Sequence, residues 1–440
     1  MYRQQQLDNL LANRRILIAG YGREGKSTHA LLEQYVSSAK VTVAANDEEI
    51  RDCLDKAQGH PYDLIVKSPG IPTMKLEGRC NLDTVTSQTD LFLQLYGDQT
   101  VAVTGTKGKS TTTALIHHVL DTAFSGTRHV IMAGNMGIPL FDILPQIEIN
   151  TLVVAEFSCH QLENIHRAPH LGIILNLYQE HLDHYRDYRG YQMAKMQMML
   201  KQLPCDHCFY CTDSSDLALL TEELKPQTLS TLHPYSLSEA KQSPVAGMEN
   251  PLQGDHNLSN TYAAWQCTAL MGVTQEQFAQ ALSTFHGLPH RLQQVGSYQG
   301  ITFYNDSIST IPEATIAAVE TLQQVDTLIV GGFDRGIDYS ALEHYIAFPT
   351  QAGEKIRNIV FVGNAGKRLY DALSNMQHSP LSRLSATLIE NNYPKIVDWC
   401  FTHTQPGKIC LLSPAAASYD NFKNFEERGD TYSNLIRSHK

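Results

Sequence analysis

The chain has 440 residues, room for roughly two to four domains at 100–200 residues each. Hydrophobic residues make up 42% and charged residues 18%, which excludes a disordered or fibrous chain. Thirty-four Lys plus Arg against 45 Asp plus Glu leave a net charge of −11, so no global basic field holds nucleic acid or an anionic membrane, and any phosphate site is local.

Residues 1–15 lack the apolar core of a signal peptide, and no stretch approaches the ~18 apolar residues of a membrane span. The expectation is a cytoplasmic enzyme without membrane insertion. Nine cysteines, an odd count on a long chain, favour reduced thiols over a disulfide framework. Cys205, Cys208 and Cys211 lack a second pair at zinc-site spacing and read as a cysteine-containing strand or turn.

In chain order, short β-branched runs fall at 16–19, 41–44, 64–66, 101–104, 152–155, 173–175, 328–330, 359–362 and 409–412. Helical spacing marks 111–120 and 257–270 among the intervening segments. Alternating strands and helices imply an α/β, doubly wound architecture of parallel sheets, in which ligands sit beyond the carboxyl ends of the strands. Breaks at 95–100 and 289–300 suggest three domains, 1–97, 98–292 and 293–440. The polar 212–254 segment reads as a peripheral part of the middle one, and no internal repeat is apparent.

The residues after these runs carry the chemistry. Gly105-Thr106-Lys107-Gly108-Lys109-Ser110 follows one strand and opens a helix. Glycines let the backbone wrap a phosphate, Lys109 can reach the terminal phosphates, and the Ser110 hydroxyl suits Mg²⁺. The spacing departs from the general form, with Val103 where a first glycine would fall. Gly20-Tyr21-Gly22-Arg23-Glu24-Gly25 is a second such turn, followed by Asp47; it suits a dinucleotide, the diphosphate of a UDP-sugar, or tight helix packing. Glu156 ends one strand and residues 180–183 (Glu-His-Leu-Asp) follow the next, a pairing of oxygen and imidazole ligands suited to Mg²⁺ beside transferring phosphates. His160, His166, His170 and His184 read as structural. Lys195 lies in a methionine-rich run (Met193, Met196, Met198, Met199) that reads as a buried helix face.

Taken together, these residues resemble the Mur ligases, ATP-dependent amide-forming enzymes of peptidoglycan synthesis. The supporting segments are SPGIP (68–72), TGTKGKST (104–111), GNMGIP (134–139), AEFSCHQL (155–162), EHLD (180–183), GDHNLSN (254–260), GLPHR (287–291), YNDSIST (304–310), GGFDRG (331–336) and LLSPAAASYDNFKNFEERG (411–429). Within that family the chain is similar to the branch that adds glutamate to UDP-N-acetylmuramoyl-L-alanine. The resemblance implies a Rossmann-like first domain holding UDP, a central phosphate-loop ATPase domain with a parallel sheet, and a Rossmann-like third domain bringing glutamate. It further implies a monomer with ATP as co-substrate, two Mg²⁺ ions, CO₂ for carbamylation of Lys195, and a glutamate racemase or epimerase in the same pathway.

Residue by residue, the resemblance places ATP on Gly105, Thr106, Lys107, Gly108, Lys109, Ser110, Thr111, Asn257, Asn260, Arg291 and Asp306. Mg²⁺ falls to Ser110, Glu156, His181 and carbamylated Lys195, with Lys109, Glu156, His181 and Lys195 as the catalytic set. The UDP substrate falls to Gly20, Gly22, Gly25, Asp47, Ser68, Pro69 and Gly70, with Asn135, Ser158 and Gln161 at its muramoyl-alanine end. Glutamate falls to Thr310, Arg335, Ser418 and Phe425.

Two positions depart from the family pattern: Ile308 and Arg335 stand where lysines are usual. Isoleucine neither donates a hydrogen bond nor carries charge, and arginine offers a planar fork. The family default is D-glutamate; the two replacements suggest a rebuilt acceptor pocket, with L-glutamate as the alternative. Three other readings are a folate-extending ligase of the same superfamily, a nucleotide-binding regulator without catalysis, and a Rossmann dehydrogenase. The GYGREG and SPGIP segments oppose the first, joint retention of Lys109, Glu156, His181 and Lys195 opposes the second, and detectable NAD(H) binding would mark the third.

Overall fold

A computed structural model describes residues 3–57, 61–135, 138–180, 184–252 and 254–439. Among these residues the strands form three sheets. The first has order β2-β1-β3-β4, from Arg15–Ala19 (β1), Lys40–Ala44 (β2), Leu64–Lys67 (β3) and Val85–Thr86 (β4), all parallel. The second has order β10-β9-β8-β5-β7-β6, from Thr100–Thr104 (β5), His129–Gly134 (β6), Thr151–Glu156 (β7), Leu171–Ile174 (β8), His207–Cys211 (β9) and Thr231–Tyr235 (β10). It too is parallel throughout. The third has order β11-β12-β16-β13-β14-β15, from Gln293–Tyr298 (β11), Ile301–Asn305 (β12), Val325–Gly331 (β13), Asn358–Val362 (β14), Ala386–Ile389 (β15) and Ile409–Leu412 (β16). Only its β11–β12 edge is antiparallel. The nine strands expected from apolar runs are present. Of the remaining seven, β4 is two residues long and β6, β10, β11 and β15 lie at sheet edges, whereas β9 (HCFYC) and β12 (ITFYN) are interior strands whose short runs mix aromatic and polar residues.

Contacts divide the chain into two compact units, 3–285 and 286–439 as described. Residues 286–292 join the second because the His290 ring meets Asn305 on β12 at 3.0 Å and the Leu292 amide donates to Asp306 at 3.1 Å. These bonds draw the break upstream of residue 292.

The first unit holds two sheets because one apolar cluster serves both. Ile16, Ile18 and Val66 pack in the same cluster as Ala102, Val153 and Ile174, together with the buried helix Gln88–Tyr96. Polar staples reinforce the join. Lys67, at the end of β3 and 1% exposed, donates to Glu163 at 2.8 Å and to the Ile71 carbonyl at 2.8 Å. Ser27 donates to Asp142 at 2.6 Å, and His166 meets Asp90 at 2.8 Å. Burial alone would raise the Glu163 pKa, but His184, 3.5 Å away, and Lys67 outweigh it and hold it at about 2.

A depressed carboxylate stabilises the fold above its unfolded pKa and loses that contribution as pH falls through the folded one. Glu163 should therefore supply up to about 3 kcal/mol that fades between about pH 4.5 and 2. Lys67→Met leaves the carboxylate with His184 alone and is expected to cost about 2–3 kcal/mol in urea unfolding at neutral pH. A loss under about 1 kcal/mol would show that the pair is dispensable.

In the second unit the central strands are buried on both faces, as the period of two requires of a covered parallel sheet. Leu328, Val330 and Leu411 enter one cluster, while Ile329, Cys410 and Leu412 enter another. Because β12, β16 and β13 are adjacent and parallel, the loops after them emerge side by side at one edge.

Candidate active site

The phosphate loop connects β5 to the helix Lys109–Ala123. Gly108 caps that helix with φ +85°, and a Cβ there would lie 2.7 Å from the Asn260 amide, so conformation and space both demand glycine. Asn260 is thereby placed against the loop, on the helix Asp255–Leu270 that also carries Asn257. Ser110 and Thr111 occupy the first helical turn, where unpaired N–H groups favour anions.

Asn176, just past β8, grips the loop: its Oδ1 accepts from the Thr106 amide at 3.0 Å and the Lys107 amide at 2.8 Å, and its Nδ2 donates to the Lys107 carbonyl at 3.0 Å. Lys109 Nζ donates to the carbonyls of Gly105 at 3.0 Å and Thr106 at 2.8 Å. Lys195, on the helix Tyr188–Leu200, donates to the same Gly105 carbonyl at 2.8 Å and is 2% exposed. Asp187 starts that helix by accepting from the Gly190 amide at 2.7 Å. Burial, reinforced by Lys109, lowers the Lys195 pKa to about 7, so a substantial fraction is neutral amine at physiological pH. Met196, Met198 and Met199 on the same helix are buried, as the methionine run suggested, while Met193 is half-buried.

Glu156 ends β7 beside β5 and is 2% exposed. Its Oε1 accepts from Asn135 at 2.6 Å, whereas its Oε2 is buried without a partner. A buried carboxylate oxygen left unsatisfied is the chemistry of a cation site, and Mg²⁺ needs only one or two carboxylates beside water and phosphate oxygens. Glu156 with Ser110 therefore fits Mg²⁺. The described residues include no cluster of three or more His, Cys, Asp or Glu placed to hold a metal, and His181 lies outside them.

Beyond the first sheet, Gly20 follows β1 with φ +97°, close against Ser68, whose hydroxyl donates to the Gly20 carbonyl at 2.8 Å. Gly22 caps the helix Arg23–Tyr35 and Gly25 lies in its first turn. Pro69 and Gly70 form a turn closed by the Ile71 amide on the Ser68 carbonyl at 3.0 Å. Asp47 begins the helix Asp47–Lys56 and pairs with Lys75. Ser158 and Gln161 form a capping box, and Gln161 Nε2 donates to Glu24 at 2.7 Å. Burial raises the Glu24 pKa, partly offset by Gln161. Reading Gly20–Gly25 for its glycines overlooked Glu24, although it stands inside the motif.

The second unit gathers the third group. Asp306 accepts from Ser413 at 2.7 Å and the Leu292 amide at 3.1 Å; burial raises its pKa to about 6 despite these donors. Arg291 is near enough to oppose that rise. Arg335 donates to the Thr310 carbonyl at 3.2 Å, joining the loops after β13 and β12. Ile308 is half-buried, its amide on the His290 carbonyl at 3.1 Å. Ser418 is buried, and Phe425 opens the helix Phe425–Ser438 with its carbonyl accepting from Ser307 at 2.8 Å. The sequence reading missed Arg428, which ties these loops together.

Of the other residues weighed, His160, His184 and Tyr185 pack ring on ring, and His170 meets Asp206 at 2.9 Å. Cys208 and Cys211 are buried on β9 while Cys205 is exposed.

A phosphate loop beneath a buried lysine, next to a cation-seeking carboxylate, defines a nucleotide-using enzyme of the phosphate-loop α/β class. Residues 103–268 match the family model of the Mur ligase middle domain. The UDP-N-acetylmuramoylalanine--D-glutamate ligase of Geotalea uraniireducens is 30% identical, over 97% of this chain and 98% of that relative. Its namesake in Listeria monocytogenes is 28% identical over 96% of each. Among solved structures, MurF from Acinetobacter baumannii aligns with a TM-score of 0.57 at 16% identity, over 99% of each chain. MurF from Thermotoga maritima, solved in complex with ADP, gives 0.52 at 14% identity, over 100% of this chain and 98% of the other. The chain belongs to the Mur ligase family. It is an ATP-dependent, ADP-forming amide ligase.

Proposed function

We propose that this protein adds D-glutamate to UDP-N-acetylmuramoyl-L-alanine, as the relatives' names state for them, in a cytoplasmic step of peptidoglycan precursor synthesis. The observation that supports the ATP-using step is the Lys109–Gly105–Lys195 cluster with orphaned Glu156, and the substrate and acceptor rest on the relatives' names. The L-alanine carboxylate takes the γ-phosphoryl group of ATP, giving an acyl phosphate and ADP. The glutamate amine then attacks the acyl carbon, the amide forms and phosphate leaves. Lys109 and the loop amides hold the transferring phosphoryl group, and Asn257, Asn260, Arg291 and Asp306 hold the rest of ATP. Bound Mg²⁺ supplies positive charge against the phosphates; Ser110, Glu156, His181 and Lys195 would hold up to two ions.

Lys195 would serve that set as its carbamate: its neutral amine adds CO₂ and releases a proton, turning a cation into an anion. Its burial and pKa of about 7 support this step. The Gly20 and Ser68 turns would take UDP, Asn135, Ser158 and Gln161 the muramoyl-alanine end, and Thr310, Arg335, Ser418 and Phe425 glutamate. The protein would act as a monomer, supplied by a glutamate racemase.

A second reading, L-glutamate, is favoured by Ile308 and Arg335, which remove one amine and present a planar fork fastened to Thr310. An epimerase would then follow. ATP-dependent phosphate release with UDP-N-acetylmuramoyl-L-alanine, Mg²⁺, bicarbonate and each glutamate enantiomer separates these readings. Product from D-glutamate alone supports the first, product from L-glutamate alone the second, and silence with both refutes ligase activity toward glutamate.

A further inference from the structure

The helix Tyr188–Leu200 grips the phosphate loop at two points one turn apart, and only one of them is the expected lysine. Tyr191, fully buried, lies 2.7 Å from the Thr106 hydroxyl through its phenol oxygen. Thr106 also accepts from the Tyr178 amide at 2.9 Å and lies 3.3 Å from the Tyr178 carbonyl, and either hydroxyl can donate in the Tyr191 contact. Four residues on, Lys195 places Nζ 5.0 Å over the Tyr191 ring and donates to Gly105 at 2.8 Å. The ring itself is fixed by Tyr188, stacked at 6.0 Å, and by Tyr185, edge-on at 5.9 Å. Packing alone would be satisfied by phenylalanine. The hydroxyl is what a core role does not need, and its partner belongs to the loop that wraps the nucleotide.

We propose that Tyr191 is a positioning residue for ATP activation: its phenol sets Thr106 and its ring face sets the Lys195 nitrogen, holding the loop and the lysine in one register. This deepens the ligase reading and rests on it for the identity of the nucleotide. The Tyr191–Thr106 contact fastens the helix to the loop independently of the Lys195–Gly105 bond. The same contact explains how a residue that touches no phosphate would govern phosphate affinity.

The test is calorimetric binding of Mg-ATP and, separately, of UDP-N-acetylmuramoyl-L-alanine to wild type, Tyr191→Phe, Thr106→Val and the double variant. Tyr191→Phe keeps the ring and should weaken Mg-ATP by about tenfold while changing the UDP substrate by less than about twofold. Thr106→Val breaks the Tyr178 bonds as well as the contact that Tyr191→Phe removes, so the double variant should lose no more than Thr106→Val alone. Unchanged Mg-ATP affinity in Tyr191→Phe, multiplicative losses in the double variant, or equal weakening of both ligands would overturn the proposal. Should Tyr191→Phe fold poorly, its binding stoichiometry for the UDP substrate gives the folded fraction, and the Mg-ATP affinity of that fraction decides by the same criteria. A wild type that binds Mg-ATP but forms no product with either glutamate sinks the ligase reading and leaves this measurement intact.

Discussion

Glu156→Gln is expected to lower kcat by about 10³-fold while leaving the ligand-free protein at least as stable as wild type. The side chain is 2% exposed, and one of its oxygens is buried without a hydrogen-bond partner. Desolvating a carboxylate and leaving half of it unpaired is a cost the fold bears unless something else uses that oxygen. Glutamine has the same shape, and its carbonyl oxygen can still accept from Asn135. The neutral amide therefore relieves the apo protein and, on the proposed reading, would remove the anionic ligand of a bound cation. Phosphate release titrated against Mg²⁺, with thermal unfolding in parallel, checks both halves. A variant with wild-type kcat would show that the carboxylate is structural, as would one that melts early without a shift in its Mg²⁺ dependence.

Arg428→Met is expected to destabilise the second unit by about 3–4 kcal/mol, the largest stability loss anticipated there. The guanidinium is 1% exposed and meets neutral acceptors: Nε on the Ser307 hydroxyl at 2.9 Å, and Nη2 on the Ser307 and Ala416 carbonyls at 2.8 and 3.0 Å. Nη1 donates to the Ala417 carbonyl at 3.1 Å. Methionine fills much of the space yet strands the Ser307 and Ala416 carbonyls, each costing about 1–2 kcal/mol when left unsatisfied, while the Ala417 carbonyl keeps the Phe333 amide at 2.9 Å. Lysine should recover less than half of the loss, because an ammonium cannot fan across both loops as a planar fork does. Denaturant unfolding of the full chain reads the effect. The loops after β12 and β16 carry Ile308, Thr310 and Ser418, so on the proposed glutamate reading KM for glutamate should rise with it. A loss below about 1 kcal/mol would remove Arg428 from any role in holding those loops.

The two cases differ in how visible they were beforehand. Glu156 was legible as a carboxylate ending a strand downstream of a phosphate loop, although its orphaned oxygen was not. Arg428 sat in plain view within the quoted 411–429 segment and conveyed nothing, since a lone arginine on a helix ordinarily means solvent. Ser158 and Gln161 show a third pattern. Their spacing spells a capping box, and the structure has them capping each other while Gln161 also holds Glu24. Asp47 likewise was read for its distance from a glycine turn, and in the fold its carboxylate pairs with Lys75.

What the sequence by itself determined was part of what depends on near neighbours along the chain. Strand, glycine loop and helix follow one another at 100–123, and the apolar runs alternate with helical segments, so the phosphate loop and the parallel α/β architecture were both readable. Tertiary structure alone decided which distant residues share that loop. Lys195 reaches Gly105 across 90 positions and Arg428 reaches Ser307 across 121, because β8 lies beside β5 and β16 beside β12. It also decided their chemistry. A lysine is an ordinary cation until packing strips away its water and sets a second ammonium beside it, and the pKa of about 7 that results for Lys195 belongs to its surroundings rather than to the residue.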